Sequence, residues 1–260
     1  IFFQTPYTLS IAYQASAVLI ESEDIPRRAL PVRQPKVKAI SIRPIINQIV
    51  SLDELTKVWD SSPDKPILAN STINIRGQRL QSELTQVRIG TTDAIPQQVN
   101  QKQITLNLAS VSTNTLRPGV QGLQVIHRNS TNSHRLVESN VMPFILLPAI
   151  AEVRVTNVEG RGDELRSAQI TVSTNPYIGK SQRVVLLLNE ASTVNPAEYT
   201  FKVPLREADT DAIATSVRAV KPGEYLVRLQ VDGVESLLTV DTDSNSPTFE
   251  QFIAPKITIS

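Results

Sequence analysis

Leu116-Arg-Pro-Gly-Val-Gln-Gly-Leu-Gln-Val-Ile126 has a counterpart later in the chain, Val220-Lys-Pro-Gly-Glu-Tyr-Leu-Val-Arg-Leu-Gln-Val231. Each stretch sets a basic residue before Pro-Gly and follows it with a strand in which apolar and polar residues alternate. Alternation at period two marks a strand with one face in a core. Two copies of one late-domain feature imply two tandem copies of one kind of domain. They point to a built support rather than to one catalytic pocket.

Upstream of the first copy, short alternating segments are separated by turn residues. Strands are expected at Val37–Ile42, Ser71–Ile75, Leu84–Ile89 and Gln103–Leu108, then at Gly122–Arg128 and Val141–Leu147. One segment departs from this. Ser51 with Glu54 fits a capping box, and Leu52, Leu55 and Val58 or Trp59 share a helical face, so a short helix is expected over Ser51–Trp59. Around the second copy, strands are expected at Glu152–Val158, Ala168–Ser173, Arg183–Leu188, Glu198–Val203, Ile213–Val220, Glu224–Val231, Val234–Val240 and Lys256–Ile259. Asp232-Gly233 between alternating strands reads as a hairpin turn, because both central residues of a type I′ turn need positive φ. Many short strands with turn residues between them are the signature of a β-sandwich.

Before these domains, Leu9, Ile11, Tyr13 and Ala15 alternate with Ser10, Ala12, Gln14 and Ser16, so Ile1–Glu21 reads as a strand. A lone strand leaves its backbone groups unpaired, so this one is expected to close a domain lying mostly upstream. The chain starts at Ile1 rather than Met, which fits that expectation. Ile25–Pro35 then carries three prolines and reads as a stiff, extended linker.

Composition narrows the chemistry. The 26 basic and 25 acidic residues leave a net charge of +1, a balance that by itself gives no reason to expect a nucleic-acid surface beyond a local patch. There is no cysteine, which removes disulfides, thiolate catalysis and cysteine-held metals. Aromatic residues make up 5%, so the cores must be filled by Val, Ile and Leu. The apolar run Val141–Ala151 is broken by Pro143 and Pro148 and falls well short of the ~20 residues that span a bilayer, so no transmembrane segment is expected.

Candidate sites are weighed on the same terms. His127 closes a strand and His134 lies in a polar loop, with no third ligand at zinc spacing. Asp241-Thr-Asp243-Ser-Asn245 opens like a calcium loop, but Ser246 stands where the turn needs Gly and Phe252 where a bidentate Glu belongs. Asp209 and Asp211 form a similar, weaker pair. No Gly-x-Ser-x-Gly elbow or phosphate-cradling loop is present. No catalytic residue, cofactor or metal is therefore assigned. Asn70-Ser-Thr and Asn129-Ser-Thr match the glycosylation pattern. Phe2, Phe3, Tyr7 and Tyr13 read first as core of the upstream domain. Arg27, Arg28 and Arg33 cluster in the linker and suit an acidic docking partner. These seven are the candidate partner interface.

The block Phe2-Phe3-Gln-Thr-Pro6-Tyr7-Thr-Leu-Ser10-Ile-Ala12-Tyr13, with Val18-Leu-Ile20 and Leu30-Pro-Val-Arg33, resembles the closing strand of the N-terminal domain of cap proteins. Cap proteins terminate the tube of bacterial contractile injection systems, which are phage-tail-like particles. Ser71-Thr-Ile-Asn-Ile-Arg-Gly77-Gln-Arg-Leu80 is similar to the early strand-Gly pattern of immunoglobulin-like domains of the IPT/TIG sort. The resemblance implies no catalytic residues. It implies a structural protein that ends the inner tube and anchors the sheath, contacting tube and sheath proteins and itself in six copies, within a particle assembled in the cytoplasm, then membrane-attached or released. The alternative is an extracellular adhesin or carbohydrate-binding array. In both, the fold expected is all-β: residues 1–35 end a truncated cap domain and carry the linker, and residues 36–150 and 151–260 form two tandem immunoglobulin-like β-sandwiches.

Overall fold

The computed structural model describes residues 43–52, 65–112, 114–128, 136–192 and 195–260. The strands expected over 1–21 and 37–42, the linker, and most of the expected helix lie outside these residues. Ser51, expected to cap that helix, ends a strand.

The first sandwich is built from β1 (Ile45–Ser51), β2 (Thr72–Gln78), β3 (Leu84–Ile89), β4 (Thr92–Ala94), β5 (Gln98–Val99), β6 (Gln103–Asn107), β7 (Gly119–Arg128), β8 (Leu136–Glu138) and β9 (Met142–Leu146). One sheet runs β1-β2-β6-β5 and the other β4-β3-β7-β8, with β9 also on β7. This is the A-B-E-D and C′-C-F-G order of an immunoglobulin-like domain. The alternation read in the sequence is the cause. Ile73, Ile75, Ile104 and Leu106 of the first sheet face Val87, Ile89, Leu123 and Val125 of the second, all fully or almost fully buried. At about 1.5–3 kcal/mol for each buried aliphatic side chain, this face alone holds the two sheets together. The open side is closed by Asn140, whose amide accepts from Ile46 N–H (2.8 Å) and donates to Ile46 C=O (3.0 Å).

The second sandwich comprises β10 (Ala149–Glu159), β11 (Arg166–Ile178), β12 (Val184–Glu190), β13 (Glu198–Val203), β14 (Thr210–Val220), β15 (Gly223–Val231), β16 (Val234–Glu235), β17 (Thr239–Val240), β18 (Phe252–Ala254) and β19 (Lys256–Ile259). Its sheets run β10-β11-β14 and β13-β12-β15-β16, with β19 also on β15 and β17–β18 as a separate ribbon. Ile170, Val172, Ile213 and Val217 pack against Leu186, Leu188, Val227 and Leu229. Tyr225 is fully buried among them, and its hydroxyl donates to Lys221 C=O at 2.7 Å, which pins the Pro-Gly turn into β15. The Tyr199 ring meets Tyr225 edge-on at 5.9 Å, and its hydroxyl accepts from Lys221 N–H. The edge strand β10 pairs Glu152 with Arg154 on its exposed side and is interrupted by two register shifts, features that discourage edge-to-edge pairing.

The Pro-Gly repeat maps onto equivalent central strands. β7 pairs with β3 on one side and with β8 and β9 on the other; β15 pairs with β12 on one side and with β16 and β19 on the other. In both sandwiches the last strand is split at a buried serine. Ser139 N–H donates to Val125 C=O and its hydroxyl accepts from Val125 N–H (2.9 and 2.8 Å). Ser236 does the same with Leu229 (2.8 and 2.9 Å). Each serine ends a Val-Glu-Ser triplet, Val137–Ser139 and Val234–Ser236, a second repeat that the Pro-Gly reading passes over.

Several expectations need adjustment. The strand expected over Val234–Val240 divides into β16 and β17, because the chain leaves β15 at Ser236. The first sandwich gains β1, β4, β5 and β8. Strand β1 escapes a period-two reading because its register shifts between Ile46 and Gln48. β11 runs beyond the expected Ala168–Ser173 to thirteen residues, Arg166–Ile178, and every second one of them is buried. Asp232 (φ 48°) and Gly233 (φ 90°) make the two-residue turn between Val231 and Val234.

Candidate functional site

Both sandwiches belong to one unit, Ser41–Ser260, and a polar seam joins them. Only Leu147 and Pro148 separate β9 from β10. From the first sandwich, the segment before β7 presents Arg117 and the carbonyl of Pro118. From the second come the β11–β12 turn with Lys180 and Gln182, the β13–β14 loop with Arg206 and Asp209, and Asp232 of the hairpin. Arg117 forms an ion pair with Asp209, and Gln182 Nε2 donates to Pro118 C=O at 2.8 Å.

The second sandwich stiffens its own side of the seam. Asp209 accepts from Lys180 N–H at 2.8 Å, and this bond together with Arg117 holds its carboxyl below the usual carboxylate range. Asp232 accepts from Gln182 Nε2 and Arg183 N–H, both at 2.9 Å. Arg206 donates to the carbonyls of Gly179 and Gln182 at 2.8 and 2.5 Å, and burial pulls its guanidinium below the ordinary arginine value. Arg117 also donates to Asn114 and Leu116 carbonyls, so its own loop aims it.

A second candidate surface is the outer face of the β4-β3-β7-β8 sheet. Arg88 binds Asp93 through two nitrogens (2.7 and 3.2 Å) and Glu138 through a third (3.0 Å). Arg128 adds Asp93 (3.1 Å) and Gln86. Arg88 is the main cause that keeps the Asp93 carboxyl below its usual range. Ile126 lies on this outward side of β7, between Gln86 and Glu138 in register, yet it is fully buried. Long arginine stems cover apolar surface while their heads stay wet. Arg88 and Arg128 lie on the same outward face as this isoleucine, which stands outside the first core cluster. Toward the seam the same face turns apolar, where Val120 (70% exposed) stands directly across from Ile145 (52%).

The sequence-derived candidates fall elsewhere. Phe2, Phe3, Tyr7, Tyr13, Arg27, Arg28, Arg33, His134 and Asn129 lie outside the described residues. His127 is half-buried on β7 with Nε2 3.0 Å from Leu80 C=O. Asp241 spends its carboxylate on Thr248 Oγ1 (2.6 Å) and Asp243 N–H (3.0 Å), and Asp243 takes Asn245 N–H (2.9 Å). The Asp241 loop is thus closed on itself. Among the described residues no group of three or more His, Asp or Glu could hold a metal ion. Asp209 and Asp211 do not act together, since Asp209 turns to the seam and Asp211 is exposed. Asn70 is exposed in the turn before β2, where Ser71 is buried and accepts from Leu68 N–H. Sequence reading missed the seam because Arg117 and Asp209 stand 92 positions apart, with no motif linking them.

A comparison with curated proteins finds no match. Among solved structures, a cytokine receptor complex has a TM-score of 0.31 at 10% identity, covering 74% of this chain and 93% of that one. The chicken CNTN1 FN1–FN3 domains have a TM-score of 0.28 at 10% identity, covering 76% and 64%. The sandwich assignment rests on the strand order and register described above. Residues 148–258, which contain nearly all of the second sandwich, are similar to a family described as Domain of unknown function (DUF8756).

Proposed function

We propose that the chain is a non-catalytic structural part of a contractile injection system, the portion of its cap that follows the tube-facing domain. The observation that carries the structural half of this reading is the seam. Two separately cored sandwiches are set in a defined relation by polar groups placed at loop tips, which is how a spacer or supporting arm is built. The particle itself is inferred from the Phe2–Ile20 block and the segment Leu30–Arg33.

On this reading the sandwiches hold other chains at a fixed distance rather than turn over a substrate. Inner tube and sheath proteins are the partners, with six copies arranged around the tube axis in a particle assembled in the cytoplasm. Val120 and Ile145, exposed and adjacent, offer an apolar contact, and the neighbouring ion lattice sets its polar rim. The edge of β10 is a poor docking strand for the reason given above.

The test is co-expression of the full-length protein, tagged at its C-terminus, with tube and sheath proteins, followed by electron microscopy. A tag found at one end of each tube supports the proposal. A tag absent from tube ends, together with binding of the purified protein to a glycan array, would replace it with the carbohydrate-binding reading.

A further inference from the structure

We infer that the Arg117–Asp209 and Gln182–Pro118 contacts form a latch, and that opening it turns a rigid pair of sandwiches into a hinged pair pivoting at Leu147-Pro148. This inference is independent of what the protein supports, because it concerns only the described residues of one chain.

The cohesion lies within each sandwich. The buried apolar residues fall into two separate clusters, one per sandwich. The covalent link between β9 and β10 is two residues long, and Leu147 N–H is tied back to Ile67 C=O at 2.9 Å. A single short link leaves rotation about its own bonds. A second attachment, away from the link, removes that freedom. The latch supplies it, with Arg117 and Pro118 on one side and Gln182 and Asp209 on the other. The hydrogen bonds and ion pair of this attachment are individually much weaker than an aliphatic core, so the latch opens while both sandwiches stay folded.

The receiving side is built to stay in place when the latch opens. Asp209 keeps Lys180 N–H, Gln182 keeps Asp232 and Gly179 N–H, and Arg206 keeps its two carbonyls, all within the second sandwich. Opening therefore costs only the crossing contacts, and closing finds its partners already aimed.

The absence of cysteine makes the test direct. Fluorophores are placed on Gln101→Cys and Asp163→Cys, both exposed. Gln101 precedes β6 at the end remote from Arg117, and Asp163 lies in the β10–β11 turn, remote from the link, so the pair reads end-to-end distance. The full-length protein is expected to give one narrow single-molecule transfer distribution at low salt. Arg117→Gln and Asp209→Asn are expected to widen it at least twofold and shorten the mean distance, and raised salt should move the unsubstituted protein the same way. Gln182→Ala leaves every charge in place and is expected to widen the distribution by itself, which keeps the test valid if an ionic variant misfolds. A distribution that is already broad in the unsubstituted protein overturns the inference. So do folded variants that all coincide with it.

Discussion

Ser139 and Ser236 make the same reciprocal pair of hydrogen bonds, each to the central strand of its own sandwich, and each directly follows a glutamate that ion-pairs with an arginine. The equivalence extends to the chain path. After Ser139, Asn140 crosses to Ile46 before β9 returns to β7. After Ser236, the β17–β18 ribbon is inserted before β19 returns to β15. One domain plan is used twice, and the second copy carries an extra ribbon at the crossing.

Replacing Ser236 by Ala leaves the buried N–H of Leu229 without its acceptor. The expected cost is about 1–3 kcal/mol, the desolvation penalty of an unpaired buried donor. Denaturant unfolding of Ser236→Ala and Ser139→Ala checks it, and each should weaken the transition of its own sandwich.

Gly77 has no room for a side chain. A Cβ there would lie 2.0 Å from the carbonyl oxygen of Ile45 on the paired strand. Because the obstacle is backbone, Gly77→Ala should separate β1 from β2 and destabilise the first sandwich by about 3 kcal/mol or more. Thermal melting of the purified variant is the measurement.

Tyr225 links stability to alkaline pH. Burial is the main reason its hydroxyl resists ionisation well above the usual tyrosine value. The folded state thus binds the phenolic proton more tightly than the unfolded chain. That contribution is complete below the unfolded value of about 10 and is lost as pH rises through and beyond it. Tyr225→Phe should lower stability near neutral pH by about 0.5–1.5 kcal/mol, for the lost bond to Lys221, and flatten the decline above pH ~10. Urea titrations across alkaline pH would show both effects.

Asp93 works in the opposite direction. Arg88, then Arg128, hold its carboxyl below the usual range, so its contribution is present above about pH 4 and is lost as pH falls through the lowered value. Asp93→Asn should reduce the acid sensitivity of the first sandwich, with an effect near pH 7 of about 1 kcal/mol or less, because the lattice is partly exposed. Ile126→Ala, a fully buried position on the same face, should cost more, about 2–5 kcal/mol. Comparing the two substitutions by denaturation separates the charge network from the buried isoleucine beside it.

Much of the β structure was legible because alternation is a local property. Leu84–Ile89, Glu198–Val203 and Lys256–Ile259 begin and end where their patterns do. The pattern fails where the backbone is irregular, as at the Ile46/Gln48 shift in β1, or where strands are only two or three residues long, as in β4 and β5. The hydrogen bonds inside the Asp241 loop were not legible: Thr248 Oγ1 and Asp243 N–H donate to Asp241, and Asn245 N–H donates to Asp243, with no periodic pattern to mark them.

Two aliphatic sandwiches, the turn at Asp232-Gly233 and the matching roles of the two Pro-Gly strands follow from residue order, since each depends on residues close together along the chain. That Arg117 meets Asp209, and that Ser139 and Ser236 are equivalent partners of β7 and β15, came from the folded chain. Those relations arise when folding brings distant loops and strands within hydrogen-bond reach, and a contact distance of a few ångströms leaves no periodic trace in the order of residues.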